Sequence, residues 1–396
     1  MAQLESGYYR IQNTNESKRY LSIANNKIDK NNRGSLESGQ GGTIFALKTI
    51  KEEEAIVDPS TILYIDIIDP SKGSAITKYE VNFRAQGMGT SDLLPQKAHL
   101  NVTIRNNETF YRIIGTHDDH AGVTLSLNES YDSFDDCGYI NTNGTTQTWN
   151  IMPINNTDQY LGIKPTISIE GKQYATLFTG FPYKLQSDMK AYYVKRYWVG
   201  SDISNQMAEM VEIKNGIVPA STPVILECSS VDAVNNKVEP LKPSEVNENI
   251  SDNLLKGIYF CFFQRGKGGN ESTQDRPKEI KNVTTYNSDN MRVLGMTSDG
   301  KLGLVKASEN QLVVTDQGKY IPANTIYLPV PNTTNDDIKL VDSVIYAAGI
   351  DVITADDKAK QKGVYTLYGT QIRNSSNTEG LPSGLYIING KKVIVK

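Results

Sequence analysis

Apolar positions along this chain recur as short runs of β-branched and aromatic residues bounded by Gly, Asn, Asp or Pro, and no stretch keeps a helical period. That pattern predicts an all-β protein. Representative strands are Tyr8 to Gln12, Leu63 to Ile68, Phe110 to Ile114, Val224 to Glu227 and Gly257 to Phe263. Helix is expected only as short turns, and segments such as Asn25 to Asn32 and Asn332 to Asp337 carry residues that tolerate turn conformations.

Two internal repeats organise the strands. The first sets Tyr9-Arg10-Ile11 against Tyr111-Arg112-Ile113, and each is followed by an aromatic strand, Ile44-Phe45-Ala46-Leu47 and Thr148-Trp149-Asn150-Ile151. The separation is two periods of about 51 residues, which places a degenerate middle copy from near Leu63 to near Leu100 to Ile104. Three copies of four short strands describe a β-trefoil. The third copy ends in Gln147-Thr148-Trp149, a Q-x-W triplet that resembles the ricin-type lectin repeat. The second repeat sets Ile217-Val218-Pro219-Ala220-Ser221-Thr222 against Tyr320-Ile321-Pro322-Ala323-Asn324-Thr325, each leading into an apolar strand. Proline cannot donate to a central ladder, so each Pro-Ala pair marks a strand start. Between the two lies Asp299-Gly300, a hairpin signal flanked by apolar residues. These features predict an antiparallel β-sandwich with internal duplication.

The strings Tyr160 to Pro165, Gly171 to Phe178, Met189 to Tyr193 and Ile321 to Asn324 resemble a β-rich module of secreted and surface proteins of Bacteroidetes. There it is often joined to an N-terminal ricin-like trefoil. The closing segments, Gly363 to Gly369 and Gly384 to Lys396 with Asn389-Gly390 as a hairpin turn, are similar to the short C-terminal sorting domain of such proteins, or form a terminal hairpin that finishes a sheet. The resemblance implies a secreted or cell-surface location rather than an activity. Met1 to Leu4 shows no basic stretch and apolar run, so no secretory signal is read there, which fits either a mature form or a cytosolic protein, and the C-terminal resemblance favours the former. The expected units are residues 1–158 (β-trefoil), 159–351 (β-sandwich) and 352–396 (C-terminal β segment), with the charged stretch Asp351 to Lys362 as a linker.

Composition narrows the chemistry. A length of 396 residues allows two or three domains, and mean hydropathy of −0.42 without an 18-residue apolar window predicts no membrane span. A net charge of −4 with scattered Lys and Arg offers no field for nucleic acid. Cys137, Cys228 and Cys261 lie far apart without a C-x-x-C pair. They read as buried small hydrophobes, with one disulfide left open.

His117-Asp118-Asp119-His120 is the densest ligand-like cluster, but a hairpin turn accounts for it, and no metal or cofactor is expected. Asp135-Asp136 and Asp336-Asp337 lack the separation of glycosidase carboxylates, Gly295 to Lys301 lacks the hydroxyl of a phosphate loop, and neither G-x-S-x-G nor H-E-x-x-H occurs. No enzyme is expected. A ricin-like sugar site needs an acid, an aromatic face and an amide in one repeat, which the third copy supplies as Asp119, Tyr139 and Asn143. In the run Lys190 to Val199, alternation predicts Tyr193, Lys195 and Tyr197 on one face and Tyr192, Val194, Arg196 and Trp198 on the other, one of them a stacking platform. The resulting expectation is a binding protein for a glycan or a host or bacterial surface protein. The alternative is a structural or accessory protein-interaction module.

Overall fold

The computed structural model describes residues 4–14, 18–22, 48–69, 78–84, 98–105, 108–117, 120–124, 126–128, 138–141, 148–198, 206–246, 249–259, 284–315, 318–331, 337–343, 346, 363–366, 371–388 and 391–395. The chain is all-β. Among the described residues helix is confined to short turns such as Glu52–Ala55, in keeping with the lack of helical periodicity.

The N-terminal unit carries β1 (Gly7–Asn13), β2 (Tyr20–Ser22), β3 (Lys48–Ile50), β4 (Leu63–Asp69), β5 (Lys78–Arg84), β6 (Ala98–Arg105), β7 (Glu108–His117), β8 (His120–Thr124), β9 (Ser126–Asn128), β10 (Gly138–Asn141) and β11 (Trp149–Pro153). Strand β1 pairs with both β4 and β11, and the ladder β1-β4-β5-β6-β7-β11 returns to β1, so these strands close a ring without edges. Strands β2, β3, β10 and β9 extend from β1 as a branch. The expected middle copy coincides with β4 and β6. The third copy closes as the repeat requires, with Trp149 opposite Tyr111. The first two copies pair differently: β5 stands between β4 and β6, and β3 pairs with β2 and β10 rather than with β1. The pairing therefore establishes the ring and not a threefold equivalence.

Strand β1 is buried on both faces from Tyr9 to Asn13. Its outward Arg10 is enclosed by the 3₁₀ turn Pro59–Thr61, donating from Nε to Thr61 Oγ1 at 2.9 Å and from Nη1 to Gln159 Oε1 at 3.5 Å. Burial pulls the guanidinium down to about 10, which leaves it charged at neutral pH. Asp58 anchors the same turn, accepting from the Ser60 amide at 2.9 Å and from Ser22 Oγ at 3.2 Å. Burial raises its pKa against those hydrogen bonds.

The second unit holds β12 (Leu161–Gly162), β13 (Ile167–Ile169), β14 (Lys172–Leu177), β15 (Tyr183–Leu185), β16 (Lys190–Trp198), β17 (Met207–Glu212), β18 (Ile217–Val218), β19 (Val224–Cys228) and β20 (Lys237–Pro240). It continues with β21 (Lys256–Gly257), β22 (Met291–Met296), β23 (Leu302–Val305), β24 (Val313–Thr315), β25 (Gly318–Tyr320), β26 (Ile326–Pro329) and β27 (Ile338–Val341). Ten of these form one sheet in the order β13-β14-β19-β16-β17-β27-β23-β22-β26-β21. The duplication is visible in that order: β14-β19-β16-β17 on one side of β27 corresponds to β21-β26-β22-β23 on the other. The registers agree, since Ala191 pairs with Leu226 and Met291 with Pro329, in each case seven residues after the repeated proline. Ser221 (φ 60°) and Asn324 (φ 58°) occupy the same left-handed turn position, and their amides donate to Thr179 and Ile258 carbonyls.

One pairing departs from a purely antiparallel sheet. Strands β17 and β23 run in opposite directions, so the single strand between them must be parallel to one, and β27 is parallel to β17. The sheet curls until its ends meet: the Phe178 amide donates to the Asn324 carbonyl at 3.1 Å, Asn324 Nδ2 donates to the Phe178 carbonyl at 2.9 Å, and the Phe178 and Tyr259 rings lie 4.3 Å apart. Gly257 is required at this closure, because a Cβ there would stand 2.1 Å from the Phe178 ring. Strand β21 is two residues long, whereas a strand from Gly257 to Phe263 was expected; Ile258 instead bonds across to Thr325, and residues 260–263 lie outside the described set.

A smaller sheet, β12-β20-β15-β18, covers the β14-β19-β16 face. Leu161, Tyr183, Val218 and Val238 from it pack against Ala175, Leu177, Ala191, Val224 and Leu226, while Tyr174, Val194 and Ile225 point into the curled sheet's own core. Both faces of β16 are thus occupied, and strict alternation fails there. A bulge at Lys195 shifts the phase, so Tyr192, Val194 and Tyr197 share one core and Tyr193 packs on the other. Cys228 is free and buried in the first of these cores, where burial pushes its thiol up to about 12.

At the C-terminus, β28 (Val364–Thr366), β29 (Gln371–Arg373), β30 (Gly384–Ile388) and β31 (Lys391–Val395) form a four-stranded sheet rather than a lone hairpin. Val364 and Ile388 are its buried residues, and Leu385 and Ile394, a cross-strand pair, are exposed.

The segment after β27 is clasped to the sheet by charge. Glu209 is buried on β17 and ion-pairs with Arg196 Nε, and the Arg196 guanidinium lies 4.9 Å above the Tyr346 ring. Burial alone would raise the Glu209 pKa, but hydrogen bonds from Ser343 and Arg196 and the Arg196 charge outweigh it and hold it below the usual value. A depressed carboxylate contributes stability above its unfolded pKa of about 4.3 and loses it as pH falls through the folded value. The stability difference between wild type and Glu209→Gln is therefore expected to be largest near pH 7 and to shrink below about pH 4. Melting curves of both proteins from pH 7 to pH 3 measure this, and a pH-independent difference would refute it.

Candidate ligand-binding cleft between the two units

The N-terminal ring packs directly on the strands that follow it. Ile62 and Tyr8 join the core beneath the small sheet, the Gly162 amide donates to the Ile56 carbonyl at 2.9 Å, and Lys237 Nζ donates to the Asn156 carbonyl at 3.1 Å. The Tyr8 ring is held edge-on to Tyr64, with centroids 5.1 Å apart, and tilted against Phe181 at 5.3 Å. Packing of this kind fixes an aromatic side chain without using its hydroxyl.

Beside Tyr8 a cleft of about 380 Å³ opens between the units. One wall is the start of β1 and the segment from Pro153 to Asn156, and the other runs from Glu239 to Glu245. Local sequence builds both walls. Asn155 makes a side-chain turn, its Oδ1 accepting from the amides of Thr157, Asp158 and Gln159 at 2.9 to 3.1 Å, which commits that oxygen and leaves Nδ2 as the group it offers. Asn156 follows at φ 59°, a conformation asparagine adopts more readily than most residues. Across the gap, Pro240 ends β20, the Leu241 amide donates to the Pro182 carbonyl at 2.8 Å, and Pro243 starts a 3₁₀ turn. Glu245 Oε2 accepts from the Lys242 amide at 2.8 Å, closing that turn.

The cleft therefore offers an aromatic ring, an apolar strip of Pro153, Ile154, Pro240 and Leu241, an amide, an ammonium and carboxylates. Burial, then the neighbouring Tyr64 and Glu245, push the Tyr8 phenol up, so it is a neutral donor at any ordinary pH. Its size and its place between two units suit a small ligand.

Tyr139 lies in β10, opposite Lys48 and Asn128. Asp119 and Asn143 lie outside the described residues, as do Cys137 and Cys261. His117 and His120 are direct partners across the β7–β8 ladder, and among the described residues no group of three or more metal-ligating side chains occurs. Among the described residues, no helix is long and apolar enough to cross a membrane. The two walls of the cleft are more than 80 residues apart in the chain, and each is built by a local turn, at Asn155-Asn156 and at Lys242-Pro243, that by itself points to no site. Compared with protein-family models, curated proteins and solved structures, the chain matches none.

Proposed function

We propose that this chain is a non-catalytic binding protein that recognises glycans at a cell surface or outside the cell. The observation that carries the reading is the cleft: a ring fixed by packing, with amide and carboxylate groups around it, is the combination that holds a sugar ring and its hydroxyls. The surface location rests on the sequence resemblance alone. Asp119, Tyr139 and Asn143 remain a second proposed sugar contact.

A glycan array on the intact chain tests the reading. Reproducible saccharide binding that Glu239→Gln weakens about tenfold is expected, the loss that follows from one charge-assisted hydrogen bond. Glu239 is exposed, so this variant should melt like wild type. Binding that Glu239→Gln leaves intact and Asp119→Ala abolishes would move the site to the third repeat. Absence of saccharide binding would favour the structural or protein-interaction reading, for which the exposed Leu385–Ile394 pair is the specific observation.

A further inference from the structure

We infer that the sugar held in the cleft is an N-acetylated amino sugar, a step that rests on the glycan reading above. The argument starts from the strip of Pro153, Ile154, Pro240 and Leu241, which lies in the same cleft as the Tyr8 ring. A plain hexose presents hydroxyls around its rim and C–H patches on its two faces, and the aromatic ring serves one of these. Where the apolar strip meets the rim of such a sugar, hydroxyls would lose water without gaining a hydrogen bond. An acetamido group supplies what is missing: a methyl for the strip, a carbonyl oxygen that accepts, and an N–H that donates.

The polar groups match that set. The carbonyl needs a donor, and Asn155 offers Nδ2 because its oxygen is already committed to three backbone amides. The N–H needs an acceptor, and Glu239 provides an exposed carboxylate on the opposite wall. Charge argues the same way. The lining carries Glu239, Glu245 and Lys242, and the Lys237 ammonium sits on the Asn156 carbonyl, so the cleft has no excess of positive charge to select an anionic sugar. A free amino sugar would satisfy the carboxylates but leave the apolar strip and the Asn155 amide unused.

The test is calorimetric titration of the intact chain with matched saccharides. The N-acetylglucosamine disaccharide is set against its glucose counterpart in the same linkage and against the de-acetylated amine, and the galactose series repeats the comparison. Binding of an N-acetylated member at least tenfold tighter than both counterparts, in either series, is the expected result. Leu241→Ser should remove most of that preference while leaving the residual affinity for the plain sugar, which separates loss of the methyl contact from loss of fold. Equal affinity for acetylated and plain sugars, both weakened by Glu239→Gln, would overturn this inference and leave the glycan reading standing. Tighter binding of the amine would overturn it as well. No binding by any member of either series, or on the array, would overturn both.

Discussion

Trp149→Ala is expected to lower the unfolding free energy by about 3 to 5 kcal/mol, the range for removing a fully buried large aromatic side chain. Trp149 is wholly enclosed and is the largest fully buried side chain among the described residues. Its strand β11 is paired on both sides, with Trp149 opposite Tyr111 on β7 and opposite Asn13 on β1. It thus sits at the position where the ring of strands closes. The carbonyl just before it, Thr148, takes the Thr14 amide at 3.2 Å and the Thr14 hydroxyl at 3.1 Å, so displacement of β11 also loosens the end of β1. Trp198 provides the control. It lies half-buried at the end of β16, and its replacement by alanine should cost clearly less. Urea unfolding of the three proteins decides the matter; a Trp149→Ala cost under about 1 kcal/mol, well short of the buried range, would mean that the ring does not depend on this side chain.

What could be read from the chain was whatever local chemistry repeats. The two Pro-Ala strings are legible because each must turn the backbone through a left-handed residue before a buried strand, and Ser221 and Asn324 do so with φ near 60°. Runs of β-branched and aromatic residues located β4, β7 and β19, because such side chains suit the pleated surface of a strand. The failures are places where a distant partner decides. The bulge at Lys195 lets Tyr192 and Tyr197 reach one core although they are five positions apart, which strict alternation would put on opposite faces. The parallel pairing of β27 follows from which strands it is inserted between, and nothing in Ile338 to Val341 itself encodes that. The repeat in the N-terminal unit was legible at Tyr111 and Trp149, which pair, but the insertion of β5 into the ring is set by long-range ladders. The cleft is the extreme case. Tyr8, Asn155 and Glu239 are unremarkable singly and meet only because Ile62 and Phe181 dock one unit on the other.

Asn236→Ala is expected to cost about 3 kcal/mol, because it strips several partners at once from the loop it underlies. Asn236 is fully buried beneath residues 229–235, whose tip exposes Val231 and Val234. Its Oδ1 accepts from the amides of Ser229 and Ser230 at 3.0 and 3.1 Å, and its Nδ2 donates to the carbonyls of Ile163, Ser230 and Asp232 at 3.0, 2.8 and 3.2 Å. The Ile163 bond ties the loop to the segment after β12, where Gly162 already lies so close that a Cβ would stand 2.7 Å from the Ala233 carbonyl oxygen. A cavity and several orphaned backbone groups follow from alanine. Asn236→Asp separates the two halves of this role. It keeps the acceptor, but at neutral pH it sets a carboxylate against three carbonyl oxygens, so its folded pKa must rise well above the unfolded value of about 3.9. A raised carboxyl destabilises the fold at neutral pH, and the penalty fades as pH falls through the folded pKa and the protonated oxygen becomes a donor. At pH 7 the aspartate variant should therefore be less stable than the alanine one, and by pH 4.5 it should be the more stable. Urea denaturation at the two pH values reads both signs, and an unchanged order between them would show that the donor half of Asn236 does not hold the loop.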